Sequence, residues 1–212
     1  NQTAGTLRVS GNVSLGAFQQ SGGITTVGGN WVTTDGFAQG STGSLSVTGT
    51  ATLGSTTGDV VLGNFSAAGA LSITNTGGNI VQASDTVAES RSTTALSAQT
   101  LSVSNALIDA DITLDNDNNS WTGAISVSHA NNLTIRGAVL SFQNISTSGA
   151  QTYNSPIWLT SDATLSGKNI TFGQVINGQQ ALSVTDTGIT TFARAVGEKT
   201  ALTSLTLNGE TH

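Results

Sequence analysis

The chain has 212 residues and a net charge of −6, with only six Lys and Arg and 8% charged residues in all. So few scattered cations exclude a run of phosphate contacts, hence nucleic-acid binding, and equally a basic anchor on an anionic membrane. Cys is absent, which removes disulfides, thiolate metal sites and Cys nucleophiles together.

Taken in chain order, the apolar residues alternate with small polar ones. Leu7 and Val9 open the pattern, followed by Leu45 and Val47, Leu71 and Ile73, and Leu101 and Val103. Next come Ile112 and Leu114, Ile125 and Val127, Leu133 and Ile135, and Leu140 and Phe142. Ile157 and Leu159, Ile170 and Phe172, Leu182 and Val184, and Leu205 and Leu207 complete it. Period two predicts short strands with one buried face. Turn formers such as NTGGN, DNDNN and TDTG end them at once. The best helix candidate, DTVAESRSTTALSAQT (85–100), has no apolar stripe. No apolar run approaches the ~20 residues of a membrane-spanning helix.

One phrase recurs: SLSVT (44–48), ALSIT (70–74), TLSVS (100–104), AISVS (124–128), ALSVT (181–185) and SLTLN (204–208). Matched leucines or isoleucines stand 26 residues apart from Leu45 to Leu71, then 30 to Leu101, 24 to Ile125, and 23 from Leu182 to Leu205. Leu133 to Ile157 adds another 24. Periods of this size predict a solenoid. The expected fold is all-β, a parallel β-helix of roughly nine coils with 22 to 25 residues each, stacked at the ~4.8 Å strand spacing. The phrase would recur because each coil must present the same apolar column to its neighbours, with Ser and Thr outward. Gly and Asn are expected at corners needing positive φ. The absence of Met, even at position 1, suggests a mature or excised piece. Residues 1–212 are read as one solenoid segment of a longer repeat protein.

From Gly149 to Gly209 the pieces GAQTYN, DATLSGKNITFG and TTFARAVGEKTALTSLTLNG stand out. They resemble the repeat regions of filamentous-haemagglutinin-type exoproteins, large bacterial adhesins exported by two-partner secretion or as autotransporters. The resemblance implies a right-handed β-helix, a secreted or cell-surface location, and a role in adhesion or in carrying another domain. It also implies an outer-membrane transporter during export and a host-cell, matrix or glycan receptor. The Asn-Pro secretion motif of such proteins is absent, so an interior or C-terminal piece is expected. Pro156, Arg194, Glu198 and Lys199 depart from the small residues usual there and are expected to mark loops. Exposed end coils would favour self-association.

No catalytic, cofactor or metal residue is assigned. The rival reading is a carbohydrate-active β-helix, a polysaccharide lyase or hydrolase, whose chemistry needs clustered carboxylates near a cation. The one acidic cluster is Asp109, Asp111, Asp115 and Asp117, with Arg91 and Arg136 the only nearby cations. Asp109 and Asp111 would share a face if a strand began there. The cluster lacks the Gly and Glu of an EF-hand loop, so an Asn-rich turn is expected instead of a calcium site. His129 and His212 are the only histidines, and no G-x-S-x-G elbow occurs. His129 is expected at a corner. Trp31, Trp121, Trp158 and Tyr153 could stack on sugars, with Trp121 and Trp158 expected outward. Thr25–Thr26, Thr33–Thr34 and Thr190–Thr191 would suit an ice-binding surface only as ranks in register, which the irregular spacing speaks against. Sequons at Asn12, Asn64, Asn118, Asn132, Asn144 and Asn169 are expected from composition alone.

Overall fold

The computed structural model describes residues 1–83, 96–98, 100–105 and 110–209. Among them every regular element is a strand, and every strand pairing is parallel. The strands stack into a β-solenoid of about nine turns. Each turn supplies up to three strands, one to each of three faces.

The first face runs Val13–Gln20, Trp31–Gln39, Ala51–Ser55, Leu71–Asn75, Leu101–Asn105, Ile125–Ala130, Phe142–Thr147, Ala163–Gly167, Ala181–Asp186 and Ser204–Gly209. The first two strands are long and continue round a bend into the second face, where Phe18 pairs with Phe37 and Ala38 with Val61. The second face then carries Val60–Leu62, Ile80–Gln82, Ile112–Asp115, Leu133–Arg136, Gln151–Tyr153, Ile170–Phe172 and Thr191–Phe192. The third face begins with Thr6–Val9, Gly23–Val27, Gly43–Val47, Asn64–Ala67, Leu96–Ala98 and Ser120–Trp121. A single bridge from Leu140 to Ile157 leads it on to Ile157–Leu159 and Ile176–Gly178.

The alternation buries one residue in two. One inward column on the first face reads Leu15, Thr33, Leu53, Ile73, Val103, Val127, Ile145, Leu165, Val184 and Leu207, all register partners. Beside it stand Trp31, Ala51, Leu71, Leu101, Ile125 and Phe142. Each fully buried Leu or Ile contributes about 1.5–3 kcal/mol. Aromatic rings extend the stacking: Tyr153, Phe172 and Phe192 lie on successive coils with centroids 5.4 and 5.0 Å apart.

The repeated phrase does not always mark the same face. Leu71, Leu101 and Ile125 pair as expected, as do Leu182 and Leu205. SLSVT (44–48), however, lies on the third face, where Leu45 pairs with Thr25 and Phe65. The coil neighbour of Leu71 towards the N-terminus is Ala51. Likewise Leu133 pairs with Gln151, and Ile157 belongs to the third face with Ile176. Any face can use the same alternation, so similarity of phrase did not establish registry. True coil lengths are mostly shorter than expected: 18 residues from Val13 to Trp31, 20 to Ala51, 20 to Leu71, and 19 from Ala163 to Leu182. The 30-residue step from Leu71 to Leu101 spans 84–95, outside the described residues. Most of the helix candidate falls there too, and Leu96–Ala98 at its end is strand.

The corners also differ from expectation. Among described Asn residues only Asn169 has positive φ, at 60°. The corner Asn and Asp side chains work instead as a ladder between coils. Asn12 Oδ1 accepts from Asn30 N–H at 2.9 Å, and Asn30 Oδ1 from Thr50 N–H at 3.0 Å. On the next corner Asp59 accepts from Asn79 N–H at 2.7 Å, Asn79 from Asp111 N–H at 2.9 Å, and Asp111 from Asn132 N–H at 3.0 Å. Asn132 accepts from Ala150 N–H at 2.8 Å. The glycine that precedes several of these positions is needed for room. A Cβ on Gly49 would collide with Asn30 Oδ1, and one on Gly78 with Asp59 Oδ1. Arg194, Glu198 and Lys199 do lie in an irregular stretch, and Pro156 ends the short loop 154–156 directly before a strand.

Candidate functional site

Among the described acidic residues, Asp111 stands apart from Asp115 and Asp117. The strand begins at Ile112, so Asp111 belongs to the corner before it, and Asp109 lies outside the described residues. Asp111 Oδ1 is occupied by Asn132 N–H at 3.0 Å, Asn132 Nδ2 at 3.0 Å and Asn131 Nδ2 at 3.1 Å. Asp115 ends the strand, about 13 Å further along at the usual rise per residue. There it meets Arg136, its register partner on the next coil, with Nε to Oδ1 at 2.8 Å. Arg136 also reaches Asp117 at 3.4 Å. Both carboxylates are partly exposed, so the group is a screened surface cluster on the second face. Among the described residues no group of three or more His, Asp or Glu is arranged to hold a metal ion. Excess calcium is expected to leave the melting temperature unchanged. A rise abolished by Asp115→Asn with Asp117→Asn would show that these carboxylates do bind it.

Of the four aromatic candidates, only Trp158 reaches solvent. Its neighbours Ile157 and Leu159 face the core at 2% exposure, while Trp158 points outward at 43%. Trp31 and Tyr153 are buried, and so is Trp121 at 8%, against expectation. Trp121 follows exposed Ser120, which pairs with outward Ser97, so the strand's alternation turns the indole inward. His129 is exposed at φ 57° and, against expectation, lies within the strand Ile125–Ala130, where the register with Phe142–Thr147 shifts, and not at a corner; His212 and Arg91 lie outside the described residues.

Outward hydroxyls do form ranks in register despite uneven coil lengths. Thr113, Thr134, Thr152, Thr171 and Thr191 are successive register partners on the second face. Of the paired threonines named above, Thr191 ends this rank, whereas Thr25 and Thr33 are buried inward. Three sequon asparagines, Asn12, Asn132 and Asn169, spend their side-chain oxygens on coil-to-coil bonds.

Nothing in the residue pattern foreshadows the buried polar centres. Asp186 is 2% exposed at the end of its first-face strand. It accepts hydrogen bonds from Asn169 N–H at 2.8 Å, Ile170 N–H at 2.9 Å, Gly188 N–H at 2.7 Å and Thr190 Oγ1 at 2.9 Å. Burial pushes its carboxyl upward, but these donors outweigh it and hold the group below the ordinary Asp value. Tyr153 donates to Gln151 Oε1 at 2.7 Å, and Gln151 Nε2 donates to Ser166 O at 2.7 Å and Thr147 Oγ1 at 3.0 Å. Burial raises the Tyr153 phenol well above its usual range, so it stays neutral. Gln39 Nε2 donates to Gln20 Oε1 at 2.9 Å, and Gln20 Nε2 to Gln2 Oε1 at 3.0 Å, a glutamine ladder at one corner. Each is a closed network within or between coils, which ties corners together. Among the described residues the large aromatic ring left exposed is that of Trp158. No family model, no curated protein and no solved structure matches the chain.

Proposed function

We propose that the chain is a spacer and adhesive surface of a secreted or surface-displayed bacterial exoprotein, one that attaches to a host-cell, matrix or glycan receptor. The observation that carries this reading is Trp158, a ring 43% exposed on a strand anchored by buried Ile157 and Leu159. A rigid, exposed indole contributes large contact area at little entropic cost and suits the apolar face of a sugar. Trp158 also lies within 149–209, the segment that resembles adhesin repeats. The stacked coils supply the spacer. The test is binding of the chain to arrayed glycans and matrix proteins, with Trp158→Ala beside the parent. Losing one stacked ring is expected to weaken binding about tenfold, on the order of 1.4 kcal/mol, without moving the melting temperature. Equal binding by parent and variant would remove Trp158 from the reading.

The second reading, a carbohydrate-active β-helix, draws on Arg136 beside Asp115 and Asp117. Cleavage of acidic polysaccharides by the parent, abolished in Asp115→Asn, would replace the adhesive reading with the enzymatic one.

A further inference from the structure

The outward side of the third face changes character along the rod. From Thr26 onward it carries hydroxyls: Thr26, Ser46, Ser66, Ser97 and Ser120 are successive register partners. Beyond the bridge from Leu140 to Ile157, the inward ladder continues through Leu140, Ile157, Ile176 and Val196. One residue before each of these stand Val139, Pro156, Val175 and Ala195. Leu140 N–H donates to Pro156 O at 2.9 Å, Ile157 N–H to Val175 O at 2.9 Å and Ile176 N–H to Ala195 O at 3.2 Å, so the four lie in line across successive coils. Val139 is 46% exposed, Pro156 and Ala195 are exposed, and Val175 is partly so. This is an apolar column on the outside of a rod otherwise clad in Ser and Thr.

Trp158 stands beside that column, two residues after Pro156 and so on the same side of the strand, about 7 Å along it. Polar groups lie on its other flanks. Exposed Thr160 shares a hydrogen bond with Ser141 at 2.9 Å. Asn177, the register partner of Trp158 on the next coil, is held by Lys199 N–H at 2.9 Å and Thr200 N–H at 3.1 Å on its Oδ1. At 43% exposure the indole offers on the order of 100 Å². With the column added, the patch stays well below the ~800 Å² that each partner of a stable protein interface buries. It matches one or two sugar rings. A ring stacked on the indole puts one edge over the apolar column. A hydroxyl at that edge would lose its water without gaining a partner, whereas a methyl group would be buried favourably.

We infer that the Trp158 surface selects a pyranose that carries a methyl group, the ring stacked on the indole and the methyl seated on Val139, Pro156 and Val175. The methyl belongs either to an acetamido group or to a 6-deoxy carbon. This rests on the reading of Trp158 as a glycan contact and adds to it which sugar is preferred.

The test is titration of the full chain with N-acetylglucosamine, 6-deoxyglucose and glucose, read by tryptophan fluorescence. Trp31 and Trp121 are buried, so the change on titration reports Trp158. At least one methyl-bearing sugar is expected to bind about fourfold tighter than glucose, the worth of one buried methyl group, and which one does so identifies the source of the methyl. Val139→Ser with Pro156→Ser alters only exposed positions, so circular dichroism should match the parent. This variant is expected to bind glucose as the parent does and to lose the preference. Equal binding of all three sugars by the parent overturns the inference and leaves the glycan reading standing. A preference that survives in the double variant overturns it too, because the column would not be what reads the methyl. A parent that responds to none of the sugars overturns it as well; the adhesive reading falls with it only if arrayed matrix proteins and glycans also fail to bind.

Discussion

Leu182→Asp is expected to lower stability by upward of about 4 kcal/mol, the loss of a buried Leu plus the burial of a carboxylate with nothing to pair it. Leu182 is 1% exposed and sits between Ala163 and Leu205 in one inward column. A protonated Asp would still leave a hydroxyl and a carbonyl without partners there. In a solenoid, contacts run mainly between neighbouring coils, so the damage should spread by coil and not all at once. Hydrogen exchange should show Ala181–Asp186 and Ser204–Gly209 losing protection first, while Leu71–Asn75 keeps it. Thermal melting supplies the overall shift. A variant that melts with the parent would contradict the stacked-column account. Ser183→Asp, one residue along on the outward side, is the control and should cost little.

Asp186→Ala is expected to cost about 3 kcal/mol or more, because it strands several donors that now share one buried carboxylate. Asn169 N–H, Ile170 N–H, Gly188 N–H and the Thr190 hydroxyl all lose their acceptor. Asp186→Asn keeps the shape but exchanges one acceptor oxygen for an NH₂ facing backbone donors, so it should also destabilise. The pH dependence has a definite sign. A carboxyl held below its ordinary value in the fold binds its proton more readily when unfolded. Its stabilisation is therefore complete above the unfolded Asp pKa of ~3.9 and is lost as pH falls through the lower folded value. Acid melts should show a drop in the parent below about pH 4 that is smaller in Asp186→Asn. Parallel acid curves for the two proteins would show that the carboxylate charge is not what ties this corner.

Asp186 and Asn75 show how differently one corner can be closed. Both end first-face strands and both are buried. Asn75 donates from Nδ2 to Gly58 O at 3.0 Å, Gly78 O at 2.9 Å and Asn79 O at 3.0 Å. Asp186 instead gathers N–H groups. Which side chain fits depends on whether the local turn leaves carbonyls or amides unpaired. That is a property of backbone placement across coils, and neither TNTGG nor TDTGI announces it.

Alternation alone determined the strands, because a residue's side of a strand follows from its parity. Leu101 with Val103, Ile157 with Leu159, and the outward Trp158 between the latter two were all legible from spacing. The 20-to-30-residue recurrence likewise determined that the coils stack, since a short half-apolar strand needs identical neighbours to cover it. Registry was decided only by the tertiary structure. Leu45 and Leu71 share a phrase but not a face, because every face of the solenoid accepts the same apolar–polar alternation. Coil length fell below the phrase spacing for the same reason. The ladders were equally hidden: Asn30 bonds to Thr50 and Asp111 to Asn132, pairs separated by a full coil. The inward turn of Trp121 and the separation of Asp111 from Asp115 depended on where their strands begin. Local sequence carries the parity of a strand. Only closure of the coil sets its neighbours, and those neighbours determine which polar groups are buried, paired or left open.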